Sequence, residues 1–173
     1  MDLKKIKAFA FDIDGVATDG SLLCTTEGDF LRIYDAKDSF GIRMASMNGY
    51  PVAVITGGSS ESILKRMTAS GVKAEDVFLH CRNKIEEFSL FCERYNISPK
   101  EVMYFGDDIP DIEVMKACGC AVCPSDAVLD VQKAADWMTE APGGKGCLRE
   151  AIEKTLRKQG KWIFDPETYK KQF

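Results

Sequence analysis

"AFAFDIDGVATDG", residues 8–20, places two aspartates, Asp12 and Asp14, at the end of an apolar run. An ionised carboxylate held against apolar surroundings is unfavourable unless something pairs with it. With 15 aspartates in 173 residues, a single D-x-D arises by chance, so its context decides its meaning. The run itself, 6–13, is nearly continuous in apolar residues. The same pattern recurs in "PVAVIT" (51–56), "DVFLH" (76–80), "EVMYFG" (101–106) and "CAVCP" (120–124). Runs of that length suit strands of a sheet covered on both faces. Helical patterns lie between and after them, near 39–48, 60–70, 83–95, 110–118 and 146–158. In "KIEEFSLFCERY", Ile85, Phe88, Cys92 and Tyr95 share one helix face. Pro110 suits a first helical turn that Gly119 later closes. Strand and helix in alternation predict an α/β fold: a doubly wound, Rossmann-like parallel sheet.

"SLLCTTEGDFLRIY" (21–34) breaks this rhythm and reads as a β-hairpin flap after strand 1. The gap from Asp14 to Asp38 holds that hairpin and little more. The gap from Thr56 to Lys84 is filled by one helix and one strand. No cap domain is therefore expected. Residues 1–160 form the predicted domain and 161–173 a C-terminal tail. The tail carries Trp162, Phe164, Tyr169 and Phe173, which need a surface to cover, either on their own subunit or on a neighbour's site. In the second case Lys170 and Lys171 are available to an anionic substrate.

A net charge of -4 and a pI near 5.1, with no basic stripe, argue against a nucleic-acid partner. No apolar run approaches the roughly 20 residues that span a bilayer. The start, "MDLKKIKAFAF", lacks an apolar leader segment with a cleavage site. Seven cysteines without a disulfide spacing fit a reducing cytoplasm. Cys118, Cys120 and Cys123 in "CGCAVC" read as small core hydrophobes rather than zinc ligands, because no fourth ligand stands at motif spacing.

Ligands of such sheets bind beyond the carboxyl ends of the strands. In order, those ends carry Asp12 and Asp14, then Thr56, then "GDD" (Gly106, Asp107, Asp108) with Asp111 close behind, while Lys84 opens the helix after strand 3. Converging carboxylates repel, at about 4 kcal/mol per pair at 4 Å and an effective dielectric near 20. Hard oxygen donors without His or Cys beside them call for Mg²⁺, which often also binds a substrate phosphate. Mg²⁺, a lysine, a threonine and a spare carboxylate suit phosphoryl transfer.

As a set, D-x-D-G-V-x-T-D-G, "ITG", the lysine at a helix head and "GDDxxD" resemble the four motifs of the haloacid dehalogenase superfamily. "DAKDSFGIR" (35–43) and "GGKGCLRE" (143–150) resemble its capless 3-deoxy-D-manno-octulosonate 8-phosphate phosphatases, tetramers that make free Kdo for lipopolysaccharide. The resemblance implies that Asp12 is the nucleophile and Asp14 the acid and base. It implies that Mg²⁺ is held by Asp12, the Asp14 carbonyl and Asp107, with Asp108 nearby. Thr56 then bonds the phosphoryl oxygens and Lys84 orients Asp12. Substrate contacts are implied for Asp108, Lys37, Asp38, Arg43, Gly57, Arg66 and Lys84. The implied substrate is a sugar-acid phosphate and the implied assembly a homotetramer.

One position departs from that pattern: many relatives have Arg after "ITG", where this chain has Gly58. Arg43, Arg66 or another subunit are the expected replacements. Asp111 reads equally as a site acid or as a first-turn helix acid. Lys145 and Arg149 read equally as surface charges or as substrate or interface contacts. His80 is expected to end a strand, and Asp19 and Asp35 to form turns. Three other functions compete: a phosphoacceptor receiver module, a non-catalytic oligomerisation domain and a phosphatase of a nine-carbon sugar acid. A receiver places its phosphorylated Asp mid-chain and lacks the second acid. An oligomerisation domain has no need of intact motifs. The motifs do not separate eight carbons from nine.

Overall fold

The computed structural model describes residues 2–172. Strand β1 (Ala8–Phe11) leads through a tight loop into a hairpin of β2 (Leu23–Cys24) and β3 (Phe30–Leu31), then α1 (Ala36–Met47). There follow β4 (Val52–Ile55), α2 (Glu61–Ala69), β5 (Val77–Phe78), α3 (Lys84–Arg94), β6 (Val102–Phe105), α4 (Ile112–Ala117) and β7 (Cys120–Cys123). The chain ends with α5 (Leu129–Ala134), β8 (Trp137–Met138), α6 (Cys147–Lys158) and α7 (Pro166–Gln172). Six strands form one parallel sheet in the order β5-β4-β1-β6-β7-β8. The doubly wound α/β reading holds. α5, β8 and the α7 helix of the tail lie outside the expected elements, and each is too short to carry a periodic signal.

Both sheet faces are covered, which is why every residue of β1, β4, β6 and β7 is buried. On one face Phe9, Phe11, Val54, Met103 and Phe105 pack against residues of α1, α2 and α6. On the other face the sheet presents Ala8, Ala10, Ala53 and Ala121, and these small residues make room for Phe88 and Phe91 of α3. Buried large aromatics each contribute about 1.5–3 kcal/mol through area removed from water. Cys118 and Cys123 lie in this second core and Cys120 in the first, and burial pushes the thiols of Cys118, Cys120 and Cys123 up to about 11, 12 and 11, so they behave as small hydrophobes.

Between β1 and α1 the chain inserts only the hairpin, paired antiparallel through Leu23 with Leu31 and Cys24 with Phe30. The C-terminal segment returns to its own subunit. Phe40 of α1 lies 6.0 Å from Phe164 and 6.3 Å from Tyr169, and Arg149 stacks 4.7 Å over Trp162. Phe173 lies outside the described residues. No described helix is long and apolar enough to cross a membrane.

Candidate active site

Strand order reverses at β1. The chain runs outward to β4 and β5, then returns across β1 to β6. The crevice that this leaves beyond the strand ends is a cavity of about 610 Å³. Asp12, Asp14, Thr56, Gly57, Lys84, Asp107, Asp108 and Asp111 all line it. Each arrives for a local reason. Asp12 follows β1, its N–H donating to the Phe105 carbonyl at 3.1 Å and its Oδ1 accepting from Ile13 N at 2.7 Å. Gly15 then turns back with φ 87°, and a Cβ there would stand 1.9 Å from Asp107 Oδ2. Only glycine lets the two acidic loops approach this closely. Gly143 makes a similar approach, its N–H held by Asp126 at 2.9 Å, while a Cβ there would lie 2.0 Å from the Gly15 carbonyl oxygen. The "GGKG" loop thus braces the loop after β1.

The centre of the site is a buried charge network. Lys84 Nζ lies 2.7 Å from Asp12 Oδ2 and donates to Asp111 Oδ1 at 2.8 Å. Burial lowers the Lys84 ammonium, but the two carboxylates outweigh it and the net shift is upward. Asp111 is fully buried. It also accepts from Tyr104 OH at 2.6 Å and from the backbone N–H groups of Asp107 and Asp108 at 3.2 and 3.4 Å. Both readings of Asp111 therefore apply: it sits in the first turn, and it positions Lys84. Burial, together with the nearby Asp111, pushes Asp12 up to about 6 against the opposing pull of Lys84. Burial, then Asp12 and Asp111, push Asp107 up to about 7.

These residues fit a hard divalent cation. Oxygen atoms of Asp12, Asp107 and Asp111 lie within 4.8 Å of one another. Asp107 Oδ1 is buried and has no hydrogen-bond partner among the described residues. Both oxygens of Asp111 are taken by donors, which leaves Asp12 and Asp107 as the carboxylates open to a metal. A cation there would satisfy the orphaned oxygen and offset the charge that raises both acids.

Asp14 lies apart from this cluster. Its carboxylate is gripped by Arg32, with Nε at 2.6 Å from Oδ1 and Nη2 at 2.9 Å from Oδ2. Arg32 reaches it from the hairpin, and its Nη1 donates to the Phe30 carbonyl at 2.9 Å. Ser60 donates to Asp29 at 2.9 Å and ties the hairpin tip to the start of α2.

Four residues expected at the substrate are not brought to the cavity, and each is occupied elsewhere or stands outside it. Asp38 accepts from Gly146 N at 3.0 Å and Arg149 N at 2.8 Å, capping α6. Arg43 donates to the Ala69 carbonyl at 2.8 Å and to Tyr169 OH at 3.0 Å. Arg66 donates to Ser39 Oγ and stacks 5.9 Å over Tyr34. Lys37 is exposed in the first turn of α1. Arg149 pairs with Glu153 at 2.5 Å, also outside the cavity. The cavity cations missed in the sequence are Arg32 and Arg82. Arg32 lies just past β3, a strand of two residues that is too short for alternation to show which face it joins.

A sequence model of the haloacid dehalogenase-like hydrolases matches residues 58–146. The chain belongs to this family. The 3-deoxy-D-manno-octulosonate 8-phosphate phosphatase of Escherichia coli K12 is 33% identical over 158 residues, 91% of this chain and 83% of the relative. The crystal structure of the Yersinia pestis phosphatase of the same name has a TM-score of 0.89 at 28% identity, covering 92% of this chain and 85% of that one. That of Moraxella catarrhalis, in complex with magnesium, phosphate and Kdo, has a TM-score of 0.88 at 26% identity, covering 92% and 91%. The chain is thus a hydrolase of phosphoric monoesters, and the family's cofactor, Mg²⁺, matches the donor set found here.

Proposed function

We propose that this enzyme hydrolyses 3-deoxy-D-manno-octulosonate 8-phosphate to Kdo and inorganic phosphate, supplying a lipopolysaccharide precursor in the cytoplasm. The observation that carries the reaction is the Asp12–Lys84–Asp111 network beside the orphaned Asp107 oxygen. The substrate assignment is supported by the relatives' activity and by a cavity far larger than a phosphate needs.

Asp12 attacks phosphorus through a carboxylate oxygen, and the bond from phosphorus to the sugar oxygen breaks. Asp14 gives its proton to that oxygen, after exchanging the Arg32 contact for the leaving group. Water then attacks the aspartyl-phosphate, gives its proton to Asp14, and the bond to Asp12 breaks. One difficult displacement becomes two easier ones, with one carboxyl serving as acid and then as base. Thr56 and Lys84 hold the phosphoryl oxygens, and Lys84 keeps Asp12 aimed and ionised. Mg²⁺, held by Asp12, Asp107 and the Asp14 carbonyl with Asp108 nearby, supplies charge stabilisation to the transferring phosphoryl group.

The flap supports a homotetramer. Its Leu23 and Ile33 are 67% and 80% exposed, with Leu22, Phe30 and Leu31 partly so. Among the described residues no cap covers the site, and a neighbouring subunit would bury these residues and close it. The reading is tested by measuring phosphate release from eight- and nine-carbon sugar-acid phosphates and simple sugar phosphates, with and without Mg²⁺. Mg²⁺-dependent selectivity for the eight-carbon acid is expected. Equal rates across the panel would refute the substrate assignment, and full activity after chelation would refute the metal's role.

A further inference from the structure

Three cations line the cavity, and their engagements differ. Lys84 is bonded to two buried carboxylates. Arg32 is bonded twice to Asp14 and once to a carbonyl, and its side chain is 3% exposed. Arg82 lines the same cavity, is exposed, and is the one cavity cation with no hydrogen bond or ion pair among the described residues. An incoming anion must break an existing charge-assisted pair to recruit Lys84 or Arg32, and would leave a carboxylate uncompensated. Recruiting Arg82 breaks nothing.

We propose that Arg82 is the residue that receives the substrate's carboxylate, the second anionic group at the end away from the phosphate. This rests on the sugar-acid reading above and deepens it. The backbone around Arg82 is fixed to the phosphate end of the site. His80 N donates to the Gly58 carbonyl at 3.0 Å, and Cys81 N to the Thr56 carbonyl at 3.0 Å. His80 itself sits at φ 58°, a left-handed turn uncommon outside glycine, which sends the chain back toward the cavity. Two residues beyond Arg82, Lys84 opens α3. The guanidinium therefore stands on a short, anchored segment between the Thr56–Gly58 wall and Lys84. Its long stem lets it meet a charge some distance from the reacting phosphorus. Gly58 in that wall carries no side chain of its own, and a Cβ there would crowd Ile63 Cδ1 at 2.8 Å and Arg32 Nη2 at 3.2 Å, so the wall offers no competing cation. A planar guanidinium with parallel N–H donors matches a carboxylate better than an ammonium does.

The test compares Arg82→Ala and Arg82→Lys with the wild type on 3-deoxy-D-manno-octulosonate 8-phosphate and on D-arabinose 5-phosphate, which has phosphate and hydroxyls but no carboxylate. The ratio of kcat/KM for the acid over the pentose phosphate is expected to fall about 10–100-fold in Arg82→Ala, mostly through KM, and less in Arg82→Lys. Binding of free Kdo is measured by calorimetry with Mg²⁺ and inorganic phosphate present, and is expected to weaken by a similar factor. Circular dichroism checks that the exposed substitutions leave the fold intact. A wild type that favours the acid, with an Arg82→Ala ratio and Kdo affinity unchanged, overturns the role of Arg82 alone. A wild type that neither favours the acid nor binds Kdo overturns the sugar-acid reading and this inference with it.

Discussion

Two acidic groups in this site are each paired with a cation, and they are held in different ways. Asp12 is gripped by Lys84 within the sheet and helix frame, where the lysine side chain is 7% exposed and its second partner Asp111 is 0% exposed. Asp14 is gripped by Arg32, which arrives on a two-stranded hairpin outside the main sheet, and the Asp14 side chain is 29% exposed. The first pair stands on elements whose register is fixed by both faces of the core. The second stands on a flap tied to the frame by Arg32, by the Ser60–Asp29 hydrogen bond and by Tyr34 at its base. In the proposed mechanism the contrast separates a nucleophile positioned by the sheet and helix frame from an acid and base paired with the flap.

The largest expected break in that contrast is Lys84→Met. It leaves Asp12 and Asp111 buried without their shared cation, a loss of about 3–5 kcal/mol of stability together with nearly all turnover. Chemical denaturation and phosphate release measure both. Loss of turnover with stability intact would show that the network serves chemistry without supporting the fold.

Asp38 sharpens the comparison from inside the rigid half, since it caps α6 next to the "GGKG" loop that braces Gly15. Burial raises Asp38 to about 6, against the N–H groups of Arg149 and Gly146. A carboxyl raised on folding binds more protons in the native state. Its contribution is full below the unfolded value near 4 and is lost as pH rises through 6, by up to roughly 3 kcal/mol. With Mg²⁺ saturating, wild-type stability minus that of Asp38→Asn should therefore fall between pH 4 and 7. A flat difference would place the Asp38 carboxyl outside the titration.

The smallest expected effect on stability belongs to the flap. Arg32→Ala should lower stability by about 1 kcal/mol or less, because Asp14 stays partly solvated. A thermal melt as damaging as that of Lys84→Met would erase the distinction between the two halves.

The strand-delivered half was legible in the sequence because continuous apolar runs end where Asp12, Thr56 and Asp107 begin. The flap-delivered half was less so. Arg32 lies in a segment whose strands are two residues each, too short to announce a face. Arg82 sits in an irregular turn, where no periodicity says which way a side chain projects. Arg43 and Arg66 misled for the opposite reason. They stand on regular helices, but their partners, the Ala69 carbonyl and Ser39, are tertiary contacts that no local pattern encodes.

The central claim is that Asp12 carries the phosphoryl group in turn with water. The most direct measurement is rapid acid quench of the enzyme during turnover with Mg²⁺, followed by mass spectrometry of the peptide containing residue 12. One added phosphoryl group on Asp12, absent without substrate and retained longer in Asp14→Asn, is the expected result. Turnover at the normal rate with no phosphoryl group on Asp12 at any quench time, or with the group on another residue, would contradict the account.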